Sequence, residues 1–156
     1  LSVQIEVLAG FADDDFVGLV WGAQDESNFY SMTWKRQDQG FSGCISPEGV
    51  IVKRVQSPSF PGLQEADIYC PSDTQNSTFL LGPAETLADG WEFGQSYTVT
   101  VDHTPSQSDI SIVRDGDGVV LASFSVVDST FPTGFFGSTT YSQSGVCVGP
   151  VQASCL

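Results

Sequence analysis

Positive charge is scarce in this chain. Its 156 residues include five Lys and Arg against nineteen Asp and Glu, which gives a formal net charge of −14. Such a surface repels phosphate backbones and anionic lipid headgroups, so the composition argues against nucleic acid as a partner. The same acidity suits either the binding of cations or a solvated extracellular surface, and net charge alone does not separate these two.

Long apolar runs are absent as well. No stretch of about 18 consecutive apolar residues occurs, so we expect no membrane insertion. Residues 1–7 alternate between apolar and polar side chains and lack the basic start of a signal peptide, which predicts a strand at the start of a mature or excised segment. With 40% hydrophobic and 15% charged residues, the chain has a globular composition, and its length fits one domain.

The chain has one histidine and no closely spaced pair of cysteines. The four cysteines are Cys44, Cys70, Cys147 and Cys155. Zinc sites use C-x-x-C spacing or histidine partners, so disulfides formed in an oxidising compartment are the better interpretation. Of three possible connectivities we favour Cys44–Cys70, which joins two loops around a predicted strand. Cys147 and Cys155 are about 26 Å apart along an extended strand and pair only if the chain turns back.

Catalytic motifs are missing too. Any histidine-based triad would have to use His103, and no serine lies in a G-x-S-x-G motif. Glu65 and Asp67 match the first two acids of the E-x-D-x-x-E pattern of β-glucanases, but Cys70 replaces the second glutamate. We therefore expect no enzyme activity, and we place His103 as a polar residue at a strand end.

Short alternating segments separated by turn residues predict an all-β sandwich. The predicted strands are residues 1–9, 16–22, 29–36, 49–55, 67–70, 78–81, 95–103, 109–114, 119–125, 134–141 and 146–153, with a helical turn at 83–88. The first three form a predicted meander. Residues 115–118, Asp-Gly-Asp-Gly, predict a hairpin turn with positive φ angles; an EF-hand loop would need a glutamate where Val126 stands.

Three consecutive carboxylates, Asp13, Asp14 and Asp15, lie between the first two predicted strands. Like charges at that density repel unless a cation or solvent relieves them, so this aspartate cluster is either a metal site or an acidic turn. Calcium binds six to eight oxygens at about 2.3–2.6 Å. We predict Asp13 and Asp15 as side-chain ligands of Ca²⁺, with Asp14 joining a second ion or facing solvent. Further ligands are predicted in the next polar turn, at Asp25 and Glu26.

The aspartate cluster also opens a longer motif. Residues 13–22 spell D-D-D-F-V-G-L-V-W-G, and Gln24, Phe29-Tyr30 and Trp34-Lys35 follow. In this order they resemble the C-terminal domain of thrombospondins, which carries D-D-D-[FY]-x-G-[FI]-[VI]-[FW]-G-Y-Q and F-Y-x-x-x-W-K. Residues 49–55, Gly90-Trp91 and Tyr141-Ser142-Gln143 match further motifs of that family.

The resemblance covers residues 3–155 and implies a jelly-roll β-sandwich of the concanavalin or legume-lectin type. It also implies a calcium-loaded extracellular interaction domain that is not an enzyme. It places Asp73 near the family's acidic loop, as a further calcium ligand, and pairs Cys155 with an upstream module. Because the family's domain usually begins with one more strand, we expect residues 1–156 to form one domain that is either complete or completed by a strand from outside the chain.

Three functions are compatible with these observations. The principal hypothesis is a calcium-binding adhesion or matrix module, secreted or at the cell surface, that contacts an extracellular protein or glycan. The alternatives are a glycan-binding lectin-like module and a self-assembling subunit of an extracellular filament or sheath. Aromatic side chains can stack on sugar rings, but their positions within strands favour core packing for Trp21, Trp34, Trp91, Phe29 and Tyr30. Asn76-Ser77-Thr78 is a predicted glycosylation sequon.

Overall fold

The structure is a computed structural model, and it describes residues 1–41, 43–57, 67, 70–71, 78–82 and 89–152. Within these residues the chain forms β-strands joined by loops and turns. The strands are β1 (Ser2–Val7), β2 (Phe16–Asp25), β3 (Asn28–Lys35), β4 (Gln39–Phe41), β5 (Cys44–Ser46), β6 (Gly49–Gln56), β7 (Thr78–Leu80), β8 (Ser96–His103), β9 (Gln107–Arg114), β10 (Val119–Val127), β11 (Phe135–Tyr141) and β12 (Val146–Val148). The predicted all-β class is confirmed, while the helical turn predicted at 83–88 lies outside the described residues.

Two five-stranded antiparallel sheets account for most of these strands. Sheet A has the order β10-β9-β8-β1-β12, sheet B has the order β11-β2-β3-β6-β7, and β4 and β5 form a separate hairpin. The inner faces of the sheets pack on each other: Trp21 Nε1 donates to Ser108 Oγ at 2.9 Å, and the Trp34 and Tyr97 rings meet edge to face at 4.7 Å. The result is the predicted jelly-roll sandwich.

The core contains most of the aromatic residues that the sequence assigns to it. Trp21, Trp34, Trp91 and Tyr30 are each at most 2% exposed, so their predicted role in core packing is confirmed. Phe29 is half-buried and lies on the other face of β3, next to Val55 of β6.

The two sheets differ in how many faces they bury. Burial alternates along β1 and β8, as expected for strands with one face toward a core. By contrast, β3 and β6 are buried on both faces, and two of their lysines, Lys35 and Lys53, are 0% and 3% exposed. The outer face of sheet B is therefore covered, and charged groups on it need partners.

Two features of the connectivity differ from the predictions. The predicted meander is wrong, because β1 pairs with β8 and β12 in sheet A while β2 and β3 form a hairpin in sheet B. Residues 8–15 therefore cross between the sheets. The β4–β5 hairpin falls where the sequence predicts only a polar loop. The hairpin turn at 115–118 is confirmed, with β9 and β10 on either side and Gly118 at φ 69°.

Candidate metal centre

The aspartate cluster lies at the end of the sheet-to-sheet crossing, directly before β2. One carboxylate oxygen from each of Asp13, Asp14 and Asp15 lies within 4.8 Å of the other two. Asp15 is buried, and Asp13 and Asp14 are half-buried. Three successive side chains converge here because the segment is an irregular loop and not a strand, in which they would alternate between faces.

A buried lysine on the neighbouring strand faces the cluster. Lys35 ends β3 and pairs in register with Phe16, so its side chain lies beside Asp15. Its Nζ is 3.0 Å from Asp15 Oδ1, 3.7 Å from Asp14 Oδ1 and 3.1 Å from the Asp14 carbonyl oxygen. The sequence prediction did not include Lys35 in the site, because Lys35 and Arg36 together follow an aromatic segment that is distant in sequence from the aspartates.

The charges of this group do not cancel. Three carboxylates and one ammonium leave two net negative charges within a space of a few ångströms. Repulsion between like charges at this distance is strong wherever water is partly excluded. A single divalent cation would neutralise the remaining charge.

Gln143, in the loop after β11, adds an oxygen next to the cluster. Its Nε2 donates to the Asp13 carbonyl oxygen at 3.3 Å and to the Ser144 carbonyl oxygen at 2.9 Å. Its Oε1 is buried and has no hydrogen-bond partner among the described residues. Buried polar atoms are normally satisfied, so an orphaned amide oxygen on a side chain that is hydrogen-bonded to the Asp13 backbone fits a cation site. Ser142, just before it, has φ 57°, a left-handed conformation that few non-glycine residues adopt.

Side chains from two further segments hold the cluster in place. Gln37 Nε2 donates to Asp14 Oδ2, and Gln39 Oε1 accepts from Lys35 Nζ at 2.5 Å. Trp91 Nε1 donates to the Asp15 carbonyl oxygen at 3.2 Å. The backbone and side chains of the acidic loop are therefore held by β3, the loop after it and the core.

The other predicted ligands lie elsewhere. Asp25 ends β2 and Glu26 follows it, so ten residues of extended strand put them about 30 Å from Asp15. Asp25 Oδ1 accepts from the Ser27 amide at 2.8 Å and from Asn28 Nδ2 at 2.9 Å, and these hydrogen bonds lower the pKa of its carboxyl. An ion bound at the aspartate cluster does not reach this turn. Asp73 and the sequon at Asn76 lie outside the described residues.

One predicted disulfide is present. Cys44 in β5 and Cys70 are joined, with their Cα atoms 5.7 Å apart, which confirms the favoured pairing. Cys147 in β12 is a free, exposed thiol. Cys155 lies outside the described residues.

A second polar network closes the opposite end of the sandwich, where residues 128–134 cross from β10 to β11. Tyr30 Oη donates to Asp128 Oδ1 at 2.7 Å and accepts from the Phe131 amide at 2.9 Å. Asp128 also forms an ion pair with Arg54. The network fastens this crossing to both β3 and β6 of sheet B.

His103 lies next to that network and is the last residue of β8, as predicted. Its Nδ1 is 2.9 Å from Ser108 Oγ, and its Nε2 is 3.0 Å from the Phe131 carbonyl oxygen. A carbonyl oxygen only accepts, which assigns the proton of the neutral ring to Nε2 and makes the serine hydroxyl the donor to Nδ1. Both ring nitrogens thus have structural partners.

The Tyr30 phenol gives this network a measurable signature at alkaline pH. Burial raises the pKa of Tyr30 to about 12, and the hydrogen bond from the Phe131 amide offsets part of that shift. An unfolded phenol ionises near pH 10, so the contribution of Tyr30 to stability is present below about pH 10 and lost as the pH rises toward 12. We expect Tyr30→Phe to be about 1–3 kcal/mol less stable at pH 7, because it leaves buried partners unsatisfied.

Urea denaturation from pH 7 to pH 12 tests this expectation. The Tyr30→Phe protein should lose less stability than the wild type above pH 10. Some alkaline loss should remain in both proteins, because burial also raises the pKa of Tyr97. Identical alkaline slopes would show that Tyr30 does not hold its proton as the geometry indicates.

Fold and site together define a lectin-like β-sandwich with an acidic loop between its two sheets. A family model described as "Thrombospondin C-terminal region" matches residues 5–156, and the chain belongs to this family. It is 31% identical over 142 residues to Thrombospondin-3b of Danio rerio, covering 86% of this chain and 15% of that protein. It is 28% identical over 150 residues to Cartilage oligomeric matrix protein of Homo sapiens, covering 92% of this chain and 20% of that protein. The chain therefore spans about a fifth or less of the length of these relatives.

Proposed function

We propose that the chain is a calcium-binding, non-enzymatic interaction domain that works outside the cell. The observation that supports this most directly is the aspartate cluster, in which three converging carboxylates face one ammonium group among the described residues. A solvated acidic loop would need no inward-facing carboxylates, whereas here Asp15 is 5% exposed. The excess of negative charge in this partly buried cluster favours a metal site with a bound cation over a solvated acidic turn.

The residues present fit calcium in type and charge. Asp13, Asp14 and Asp15 would supply carboxylate oxygens and Gln143 an amide oxygen, with water completing the six to eight ligands that calcium takes. Asp73 is proposed as a further ligand from the family resemblance. Bound calcium would neutralise the remaining negative charge and tie the crossing between the sheets to the loop after β11. Its role in this proposal is to fix loops that present a binding surface.

Two observations support an extracellular location. The Cys44–Cys70 disulfide is typical of proteins from oxidising compartments. One relative carries "matrix protein" in its name. Apart from these two observations, the described part of the chain contains no helix with the length and apolar character of a membrane span. We propose an extracellular protein or glycan as the partner, contacted by the loops that calcium orders.

Thermal unfolding with calcium added and removed tests the calcium proposal. The melting temperature should fall when EDTA is added and recover with excess CaCl₂, because a ligand at 100 times its Kd stabilises the folded state by about 2.7 kcal/mol. Asp13→Asn should abolish most of the response. It is the best choice because, among the described residues, the Asp13 carboxylate has no hydrogen bond or ion pair that its loss would break.

Asp25→Asn is the matched control, since it removes a carboxylate from the distant turn. It should leave the calcium response unchanged. A melting temperature that is the same in EDTA and in calcium would remove the basis of the proposal, and an equal loss of response in both variants would place the ion elsewhere.

A further inference from the structure

The outer face of sheet B contains a cavity of about 120 Å³ that the calcium proposal does not use. Its walls are largely apolar and include Phe16, Val20, Phe29 and Val55. We call it the outer cavity, because these residues face away from sheet A. It is partly open to solvent along β11, whose Thr139 and Tyr141 are half-buried.

A glycine lies between two of the threonines that line the outer cavity. Gly18 in β2 pairs in register with Thr33 on one side and Thr139 on the other. A Cβ at Gly18 would lie 1.9 Å from the Met32 carbonyl oxygen, so the close approach of β3 admits only glycine here. The position between the two threonines therefore has no side chain to fill it.

One polar atom of the outer cavity is unsatisfied. Thr33 lines the cavity and is 8% exposed, and its Oγ1 has no hydrogen-bond partner among the residues the structure describes. Buried hydroxyls in native proteins are nearly always hydrogen-bonded to protein or to another molecule. A ligand group that donates to or accepts from Thr33 Oγ1 would satisfy it.

Two charged residues, Lys53 and Asp67, line the outer cavity, and their formal charges cancel, so the site does not call for an anionic ligand. Lys53 Nζ donates to the backbone carbonyl oxygens of Asp67 and Cys70, which hold it against the segment that the disulfide secures. With apolar walls and a single orphaned hydroxyl, the site suits a neutral molecule with an apolar body and one hydroxyl.

We propose that the outer cavity binds a single-ring phenol, with the ring against the Phe16, Phe29 and Val55 side chains and the phenol hydroxyl on Thr33 Oγ1. Size limits the ligand to one ring, since the outer cavity has about 120 Å³ and is partly open, whereas a closed apolar cavity of about 150 Å³ in another protein binds benzene. The hydroxyl of the ligand distinguishes it from benzene, which would leave Thr33 unsatisfied. The proposal does not rest on the proposed function, since none of Asp13, Asp14 and Asp15 lines the outer cavity.

Titration followed by amide NMR tests the proposal, with phenol and benzene as probes. Phenol should produce saturable shifts of the Gly18, Thr33 and Thr139 amides, and benzene should bind about tenfold more weakly because it makes no hydrogen bond. A phenol group could come from a free small molecule or from a tyrosine side chain of a partner protein, and N-acetyl-tyrosinamide, as a third probe, separates these two sources. If it binds, the mouth admits a tyrosine side chain of a partner; if only phenol binds, the site takes free small molecules.

Two variants and a control make the assignment specific. Thr33→Val keeps the shape of the side chain and should weaken phenol binding about tenfold while leaving benzene binding unchanged. Thr139→Phe, on an edge strand where a larger side chain has room, should fill the cavity and abolish the binding of all three probes. Thr100→Val is the control, because Thr100 lies on the outer face of sheet A, and it should leave the binding of phenol and of benzene unchanged. The proposal is overturned if phenol gives no saturable shifts, if Thr33→Val binds phenol as well as the wild type, or if Thr139→Phe still binds it.

Discussion

Replacing Lys35 with methionine should lower the free energy of unfolding by about 3–5 kcal/mol in the absence of calcium, the range typical for removal of one partner of a buried ion pair. Lys35 is 0% exposed and its ammonium lies 3.0 Å from the Asp15 carboxylate. Methionine has a similar length, so the loss reports on the charge of the ammonium, on its hydrogen bonds and on its contact with the Phe16 ring, whose centroid lies 5.2 Å from Nζ. What remains is a buried carboxylate beside two others.

Calcium should partly rescue this variant, which makes the experiment informative about the site as well as the fold. With the ammonium gone, the aspartate cluster carries three negative charges, and the favourable interaction with a divalent cation increases. Urea denaturation in EDTA and in excess CaCl₂ should therefore show a larger calcium-dependent stabilisation in Lys35→Met than in the wild type. An unchanged calcium effect would mean that the lysine and the ion do not share the cluster.

Arg114→Met provides the matched control. Arg114 also pairs with an aspartate, with Nη2 2.7 Å from Asp117 Oδ2, but both side chains are partly exposed at the β9–β10 turn. Such surface pairs contribute about 0–1 kcal/mol. Similar losses in the two variants would indicate that burial of Lys35 is not what makes its ion pair important.

The strands of this protein were predictable from the sequence, and their partners were not. Alternation of apolar and polar side chains is a local property, so β8, β9 and β10 and the hairpin between the last two could be found directly. Pairing in a jelly roll joins distant segments, and nothing in β1 itself indicates that β8 and β12 flank it. The predicted meander failed because it assumed that neighbours in sequence are neighbours in a sheet.

In the candidate site, too, the local features were predictable from the sequence and the long-range contacts were not. Three adjacent aspartates were conspicuous, and their position in a loop between strands is confirmed. Asp25 and Glu26 were grouped with them because they are close in sequence, but an intervening strand places them at the other end of the sandwich. Lys35 and Gln143 come from other strands and loops, so only the register of β2 with β3 and the path of the chain after β11 reveal them.

Removal of the Cys44–Cys70 disulfide should be the second most damaging change. The bond closes a loop with a sequence separation of 26 residues, and the loop-entropy relation gives a stabilisation of about 3.5 kcal/mol for a ring of that size. It joins the β4–β5 hairpin to Cys70, whose carbonyl oxygen accepts from the buried Lys53 ammonium. We expect the double variant Cys44→Ser with Cys70→Ser to lose about 2–4 kcal/mol in urea denaturation.

Cys147→Ser separates this effect from a general response to the loss of a thiol, since Cys147 is exposed and free. It should change stability by no more than about 0.5 kcal/mol, as is usual for surface substitutions. Reduction of the wild type should reproduce the double variant, because both remove the same constraint on the unfolded chain. If instead the double variant unfolds at the wild-type urea concentration, the contacts of Lys53 with the carbonyl oxygens of Asp67 and Cys70 hold this segment without the covalent bond. In that case Lys53→Met should lower the free energy of unfolding more than the double variant does, because it removes the buried ammonium that donates to both carbonyl oxygens.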